Sequence, residues 1–458
     1  MILAETPQEA YEKTATALEP RSPAAVLAAE LSGRLHASRG VVERGRIVQA
    51  FGTTLRVSGL SARIGQQCIV TDGQGTPLRA EVVGLSHGDA ILVPLGGLHD
   101  LASHAHVQVV SDSPAMPCGK ALLGRVLDAF GQPLDGKPLP AGLGQQPLVA
   151  DAPNPLQRSS VSQVFATGVR AIDATLTIGV GQRVGIFATA GGGKSTLLGM
   201  LARQAASDVN VVALVGERGR EVREFIEESL GPEGLARSVL VVATSERPAM
   251  ERLRAAQAAT AIAEGFRAQG LRVMLLMDSV TRTARALREV GLAVGEPPVR
   301  RGFPPSVFAE LPRLFERAGN DARGSITAFY AVLAEDKDGS DPVAEEVRSI
   351  LDGHIVLSRE LGVAGHYPAI DVLASVSRVF TRVATPAQRD SALRLRALMA
   401  KHAEIRFLLQ VGEYKSGSDE LADRAIERWP AIEALLRQRP EESTPMAETL
   451  RRLHEVAS

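Results

Sequence analysis

The sequence predicts a multidomain chain with a small N-terminal β-barrel, a central α/β domain on a parallel sheet, and a C-terminal helical domain. Three observations predict it. Between Arg46 and Val110, short β-branched runs are cut by glycines at close spacing, the pattern of a small barrel. From Gln182 to about Phe380, apolar runs alternate with helix-like segments, as strands of a sheet covered on both faces do. Beyond Arg382 the texture turns helical. At 458 residues the chain exceeds one ordinary domain.

Residues 1–36 mix Ala, Leu and Glu with Pro20 and Pro23 and read as a helical or partly ordered extension of the kind partners use. The barrel is placed at 37–113, with strands at Arg46–Phe51, Thr53–Val57, Gln67–Val70, Arg79–Leu85, Ala90–Val93 and Val107–Val110. The stretch from Pro114 to Pro155 holds eight prolines and the turn-rich Asp-Ala-Phe-Gly-Gln-Pro-Leu-Asp-Gly. It reads as a structured linker opening the central domain, 114–380. In that domain strands are expected at Arg183–Phe187, Val209–Val215, Val239–Ala243 and Arg272–Met277. The tail, 381–458, places Leu421, Ala425, Trp429, Ile432 and Leu436 on one helix face, with Pro430 starting a new helix.

Composition excludes several functions. The 51 basic and 52 acidic residues leave a net charge of −1, so nothing draws a polyanion generally. No run of 18 apolar residues is present, and Met-Ile-Leu-Ala-Glu opens with an acid where a secretory signal carries bases. A cytoplasmic protein is expected. Cys68 and Cys118 lie far apart without a CxxC, which argues against a disulfide framework or a zinc site.

The strongest chemical motif is Ala190-Gly191-Gly192-Gly193-Lys194-Ser195-Thr196, directly after the run Val184–Phe187 and before the helical 197–204. Strand, glycine-rich loop, Lys-Ser and helix in that order make a phosphate-binding loop, or P-loop. Small residues let backbone N–H groups face phosphate oxygens, the helix dipole and Lys194 add positive charge, and the Ser195 hydroxyl suits Mg²⁺. Ala188 stands where the first glycine is usual, and Thr189 follows it. A glycine-rich turn that binds no nucleotide needs neither the lysine nor the hydroxyl. About eighty residues on, Val273–Met277 ends in Asp278, placed as a carboxylate that holds the metal from farther out. Val209–Val215 ends in Gly216-Glu217-Arg218-Gly219-Arg220-Glu221, which puts Glu217 at the carboxyl edge of the sheet to polarise an attacking water. The competing reading of Glu217 is a helix-start acid beside Arg218 and Arg220.

These motifs, with Met277-Asp-Ser-Val-Thr-Arg282, Gly295-Glu-Pro-Pro, Gly302-Phe-Pro-Pro-Ser-Val-Phe and Gly365-His-Tyr-Pro-Ala-Ile-Asp371, resemble the catalytic-subunit family of rotary ATPases from roughly Arg46 to Trp429. Leu311-Pro-Arg-Leu-Phe-Glu-Arg-Ala-Gly-Asn320 and Ile350-Leu-Asp-Gly-His-Ile-Val-Leu-Ser-Arg359 are closer to type III export ATPases, and Leu408–Tyr414 to their injectisome branch rather than the flagellar one. The resemblance implies a RecA-like ATPase domain, ATP and Mg²⁺, and a homohexamer at the cytoplasmic face of the inner membrane. It implies a stator-type regulator at the N-terminus, a central stalk protein, export chaperones, secreted proteins and the export apparatus as partners, and no nucleic acid. It also assigns Lys194 and Ser195 to phosphates and Mg²⁺, Glu217 as catalytic glutamate, Asp278 as strand-end acid, and Arg218 and Arg282 near the γ-phosphate. Tyr367 and, against an equal reading as a core tyrosine, Tyr414 are assigned to adenine. Arg378 matches the arginine that reaches a neighbour's site; the bland alternative is a surface ion pair. One chain thus carries both the glutamate and the finger, so one gene product builds every site. Lys337 interrupts a loop that is often acidic in these proteins.

Two rivals remain at this level. An RNA translocase with the same core needs a basic, aromatic platform in its barrel, and this barrel has one Phe and few bases. A non-catalytic ring subunit is expected to lose Lys194 or Glu217, and both remain.

Overall fold

The computed structural model describes residues 27, 31, 43–71, 77–98, 101–102, 104–111, 114–189, 191–334 and 341–458. The expectations for the N-terminal extension apart from Leu27 and Leu31, for Ala190 and for Lys337 lie outside them.

The barrel forms from β1 (Gly45–Phe51), β2 (Thr54–Ser58), β3 (Gln67–Thr71), β4 (Leu78–Ser86), β5 (Asp89–Pro94) and β6 (His106–Ser111). It closes in the order β1-β2-β5-β4-β3-β6. Strands β2 and β3 alternate buried with half-buried residues, as period-2 side chains on a closed sheet must. Leu55, Val57, Cys68, Val70, Val82, Leu92 and Val107 point inward and fill it.

Among the described residues the central sheet has nine strands. Across it run Ile370–Ser377, Gly353–Leu357, Arg183–Ala188, Ser325–Leu333, Arg272–Asp278, Val209–Val215, Ser238–Ala243 and Val126–Leu127, with Gly319–Asn320 paired off this path. Neighbours are parallel except at Ile370–Ser377 and Gly319–Asn320. The mostly apolar runs follow from burial on both faces, and the buried Asn210 is a polar exception that donates to the Ala202 carbonyl at 2.7 Å. Val209, Val211, Ala213 and Val215 enter one core, while Val212 and Leu214 enter the other. The proline-rich linker supplies Val126–Leu127 as the edge strand beside Ser238–Ala243.

On one face lies the helix Ala249–Ala268, whose Ala255, Ala256, Ala258, Ala259, Ala261 and Ala263 are fully buried. Small side chains bring it close to the sheet. At Gly265 any Cβ would lie 2.1 Å from the Cys118 Sγ, so a glycine is required where the linker crosses. Arg254 of this helix, 2% exposed, donates from Nε to the Glu81 carboxylate of β4 at 2.8 Å and lies over Phe130. That buried ion pair joins barrel to sheet.

The opposite face carries the helix Lys194–Gln204 and the tail helices Pro386–Val411, Glu420–Leu436 and Met446–Ala457. Ala392, Leu395, Ile432, Leu436 and Leu453 share a core with Leu197, Leu201 and Val212. Pro430 does not begin a helix. It sits inside Glu420–Leu436 and is itself exposed, so the hydrogen bond lost with its N–H falls on the outer side of the helix. Of the face expected there, Ala425, Ile432 and Leu436 are buried, Trp429 is partly buried and stacks on His402, and Leu421 is exposed at 39%. Among the described residues no helix is long and apolar enough to cross a membrane.

Candidate active site

The strand Arg183–Ala188 stops at the carboxyl edge of the sheet and the helix Lys194–Gln204 starts just beyond, so the glycine-rich loop bridges them. Its turn needs left-handed backbone at Gly191 (φ 77°) and Gly193 (φ 78°), which glycine adopts without a Cβ penalty. The Gly192 N–H donates to the Thr189 carbonyl at 3.1 Å. The Thr189 hydroxyl is buried with no hydrogen-bond partner among the described residues. A closed turn at a helix N-terminus with an orphaned hydroxyl on its wall fits an anionic, oxygen-rich group.

Asp278 and Leu214 are register partners, and Glu217 follows the end of Val209–Val215, so both acids reach the same edge. The Lys194 Nζ donates to Asp278 and lies 3.4 Å from Glu217 Oε1. Arg282 donates from Nη1 to the Gly216 carbonyl and lies 2.9 Å from Glu217 Oε2. Gly216, at φ 72°, leaves the room that Arg282 occupies, since a Cβ there would lie 2.8 Å from its Cδ. The helix holding Arg282, Val280–Ala293, is capped by the Ser279 hydroxyl, which accepts from the Arg282 N–H at 3.4 Å. Ser195, Leu214, Glu217, Glu221, Val222, Phe225 and Asp278 line a narrow cleft between them.

Burial, and then the neighbouring Asp278 charge, push the Glu217 carboxyl up to about 7; Lys194 and Arg282 offset this only in part. A hydrogen bond between Glu217 and Glu221 acts in the same direction on Glu217 and holds Glu221 below its ordinary range. A carboxylate balanced near neutral pH at the mouth of a phosphate loop is suited to take or orient a proton of water. The Ser195 hydroxyl and the Asp278 carboxylate border the same cleft, a donor set that fits Mg²⁺ held jointly by protein oxygens and phosphates.

The structure therefore brings together Lys194, Ser195, Glu217, Asp278 and Arg282, with Ala188, Thr189, Gly191, Gly192 and Gly193 forming the loop and Thr196 its helix start. The Tyr367 ring stands beside the loop, 3.5 Å from where a Gly193 Cβ would be, and is 43% exposed. Arg218 points to solvent and pairs with Glu221 at 3.2 Å. Tyr414 lies between the first two tail helices, its hydroxyl donating to Asp423 at 2.9 Å. Nothing among the described contacts joins it to Tyr367.

Arg378 stands apart. The loop strand ends at Ala188, level with Leu357, whereas Gly353, four residues earlier on that strand, pairs with Ser377. Arg378 thus leaves the sheet at its opposite edge, about 13 Å away along the strand alone. It is exposed, and its guanidinium donates to the Arg348 and Ser349 carbonyls at 3.2 and 3.4 Å. Sequence reasoning missed Glu221, which lies in the first turn of the helix Gly219–Glu224 that begins just after Glu217.

The ATP synthase alpha/beta family nucleotide-binding domain matches residues 168–377, and the T3SS EscN ATPase C-terminal domain matches 384–455. The type 3 secretion system ATPase of Xanthomonas euvesicatoria is 55% identical over 413 residues, 90% of this chain and 93% of that protein. The flagellum-specific ATP synthase of Bacillus subtilis is 47% identical over 408 residues, 89% and 93% of the two chains. The assembled ATPase EscN from the enteropathogenic E. coli type III secretion system superposes with a TM-score of 0.86 at 45% identity, covering 90% of this chain and all of that one. EscN in complex with its central stalk EscO superposes with a TM-score of 0.84 at 44% identity, with the same coverage.

Proposed function

Because this chain belongs to the type 3 secretion system ATPase family, we propose that it hydrolyses ATP at sites shared between copies in a homohexameric ring, and that this turnover energises protein export through an injectisome. The greater identity to the secretion ATPase than to the flagellum-specific one favours that branch. The observation that carries the shared site is the division of one catalytic set between opposite edges of one sheet. Lys194, Glu217 and Asp278 converge at the carboxyl edge, and Arg378 stands exposed at the other, too far to serve its own phosphate loop.

In this reading the Gly191–Gly193 backbone and Lys194 bind the phosphates. Lys194 is released from Asp278 and Glu217 when the phosphates draw it away, which leaves both carboxylates less neutralised and Glu217 more basic. Glu217 then takes its place as the acceptor that orients water, and Arg282 keeps it aimed from the Gly216 side. When bound at Ser195 and Asp278, Mg²⁺ neutralises phosphate charge. Tyr367 offers its exposed face to adenine, and Arg218 is free to swing toward the γ-phosphate; Tyr414 as a second adenine contact requires its loop to move. Arg378 from the adjoining copy completes the charge stabilisation, a contribution of about 10³ to 10⁵ in rate.

The chain divides functionally as an N-terminal extension for a stator-type regulator, a barrel collar over 37–113, the ATPase domain over 114–380, and the tail. A central stalk protein meets the ring, as EscO does with EscN, and chaperones with their cargo arrive from the export apparatus at the cytoplasmic face of the inner membrane. The test is activity per subunit against protein concentration, alongside size measurement, with mixtures of Arg378→Ala and Glu217→Gln subunits. A steep rise with concentration and recovered hydrolysis in the mixture are expected. A dilute monomer with full activity overturns the shared site.

A further inference from the structure

The helix Pro342–Ile350 connects the two edges of the sheet just described. It follows the strand Ser325–Leu333, whose last residue is level with Ala188 at the phosphate-loop edge, and it ends at the edge where Arg378 emerges. Carbonyls of a last helical turn carry partial negative charge, and the planar guanidinium of Arg378 spans two of them, those of Arg348 and Ser349. The Arg348 guanidinium in turn lies over the Phe187 ring, 4.7 Å from its centroid. Phe187 belongs to the strand that carries the phosphate loop, one residue before its end. Its ring is folded back over Gly185, where any Cβ would lie 2.5 Å from Phe187 Cε2, and His354 packs edge-on against it at 5.9 Å. Phe187 is 2% exposed although Arg348 itself is exposed, so the arginine covers the ring on its outer side.

The Arg378 backbone is tied to the same strand. Its N–H donates to the Asp352 carbonyl at 2.9 Å, and the Asp352 carboxylate accepts from Arg183 Nε at 3.0 Å, at the strand's other end. Both tethers of Arg378 therefore terminate on Arg183–Ala188.

We propose that Arg348 is a positioning residue for Arg378: seated on Phe187, it fixes the helix end whose carbonyls hold the Arg378 guanidinium, so that the strand bearing one subunit's phosphate loop sets the arginine presented to the next subunit. This rests on the reading of Arg378 as the group offered to a neighbour. A shift of about 1 Å in a positioned catalytic group costs about 10²-fold in rate, so a loosened seat is enough to be measured.

The test uses the full chain under ring-forming conditions. Arg348→Ala is expected to lower kcat about 10- to 100-fold, with nucleotide affinity and ring assembly within about twofold of the parent. Arg348→Lys, which keeps a cation over the ring, is expected to retain most of the rate. In an Arg378→Ala background, Arg348→Ala adds no further loss. Mixed with Glu217→Gln subunits, Arg348→Ala subunits recover hydrolysis, because their own intact glutamate then meets a well-seated arginine from the other chain. A defect confined to folding or to the subunit's own site is not rescued in this way, and absence of recovery despite demonstrated co-assembly overturns the inference. So does an Arg348→Ala ring within twofold of the parent when Arg378→Ala is inactive. An active Arg378→Ala ring instead removes the shared-site reading on which the inference stands. Should Arg348→Ala fail to fold, Phe187→Leu removes the aromatic seat while leaving the guanidinium, and the same pattern of loss and rescue is required of it.

Discussion

Glu217→Gln is expected to abolish turnover and at the same time to stabilise the ligand-free protein. The Glu217 carboxyl sits among buried groups, 7% exposed, and burial with the Asp278 charge raises it from an ordinary value near 4.5 to about 7. Above pH 7 the fold must hold a charge that it disfavours. A rise of this size corresponds to about 3 kcal/mol, which screening by water at the cleft mouth reduces to about 1–2 kcal/mol. The sign follows from linkage: a carboxyl raised in the folded state favours folding while protonated, and that advantage is lost as pH climbs from about 4.5 through about 7. Glutamine never ionises, so the variant's margin over the parent is full at pH 8 and falls to about a quarter of that at pH 5. Urea and thermal melts of both proteins at pH 5 and pH 8, without nucleotide, measure it, and hydrolysis falls about 10²- to 10⁴-fold in the same variant. A variant no more stable than the parent at pH 8, or a margin independent of pH, refutes the claim that the site holds Glu217 at an energetic cost.

Lys194→Ala is expected to fold normally and lose hydrolysis, because the loop's other donors are backbone groups; turnover within tenfold of the parent removes the phosphate-loop assignment. The parent's kcat/KM is expected to climb between pH 6 and pH 8 with an apparent ionisation near 7, since the ligand-free protein must carry Glu217 as the carboxylate for it to accept a proton, and a flat profile over that range excludes it as the acceptor. Arg254→Ala is expected to cost about 3–5 kcal/mol in urea denaturation, because Glu81 is left buried without its cation, whereas Arg254→Met combined with Glu81→Gln returns most of the loss.

The strands of the central sheet were legible because parallel strands covered on both faces favour apolar residues, and Val209–Val215 has that form from Val211 onward, with the buried Asn210 as its one polar member. The loop, Glu217 and Asp278 were legible for a related reason: each follows directly on such a strand, so its place at the carboxyl edge is fixed by chain continuity. Val126–Leu127 was not, since two residues inside a proline-rich stretch carry no periodicity. Pro430 misled because the rule that proline starts a helix takes no account of which side of the helix it occupies. The seat of Arg378 was hidden as well; it depends on carbonyls at the end of a helix and on an aromatic ring 191 residues earlier in the chain, and no spacing rule links Arg378 to Phe187.

The core shared between the phosphate-loop helix and the tail bears on how such a chain can be recombined. Arg170, just ahead of the sheet, donates from its N–H to the Gln438 side chain at 2.8 Å and from Nε to the Leu435 carbonyl at 2.9 Å, and the Tyr367 carbonyl accepts from the Gln438 N–H at 2.8 Å. A graft that exchanged the tail at Phe380 would cut through this apolar layer and sever the clamp that steadies Tyr367. Tail and sheet are therefore a single unit of inheritance: a foreign tail is accepted only if its inner helix faces and its equivalent of Gln438 travel with matching partners at Arg170, Leu197 and Leu201.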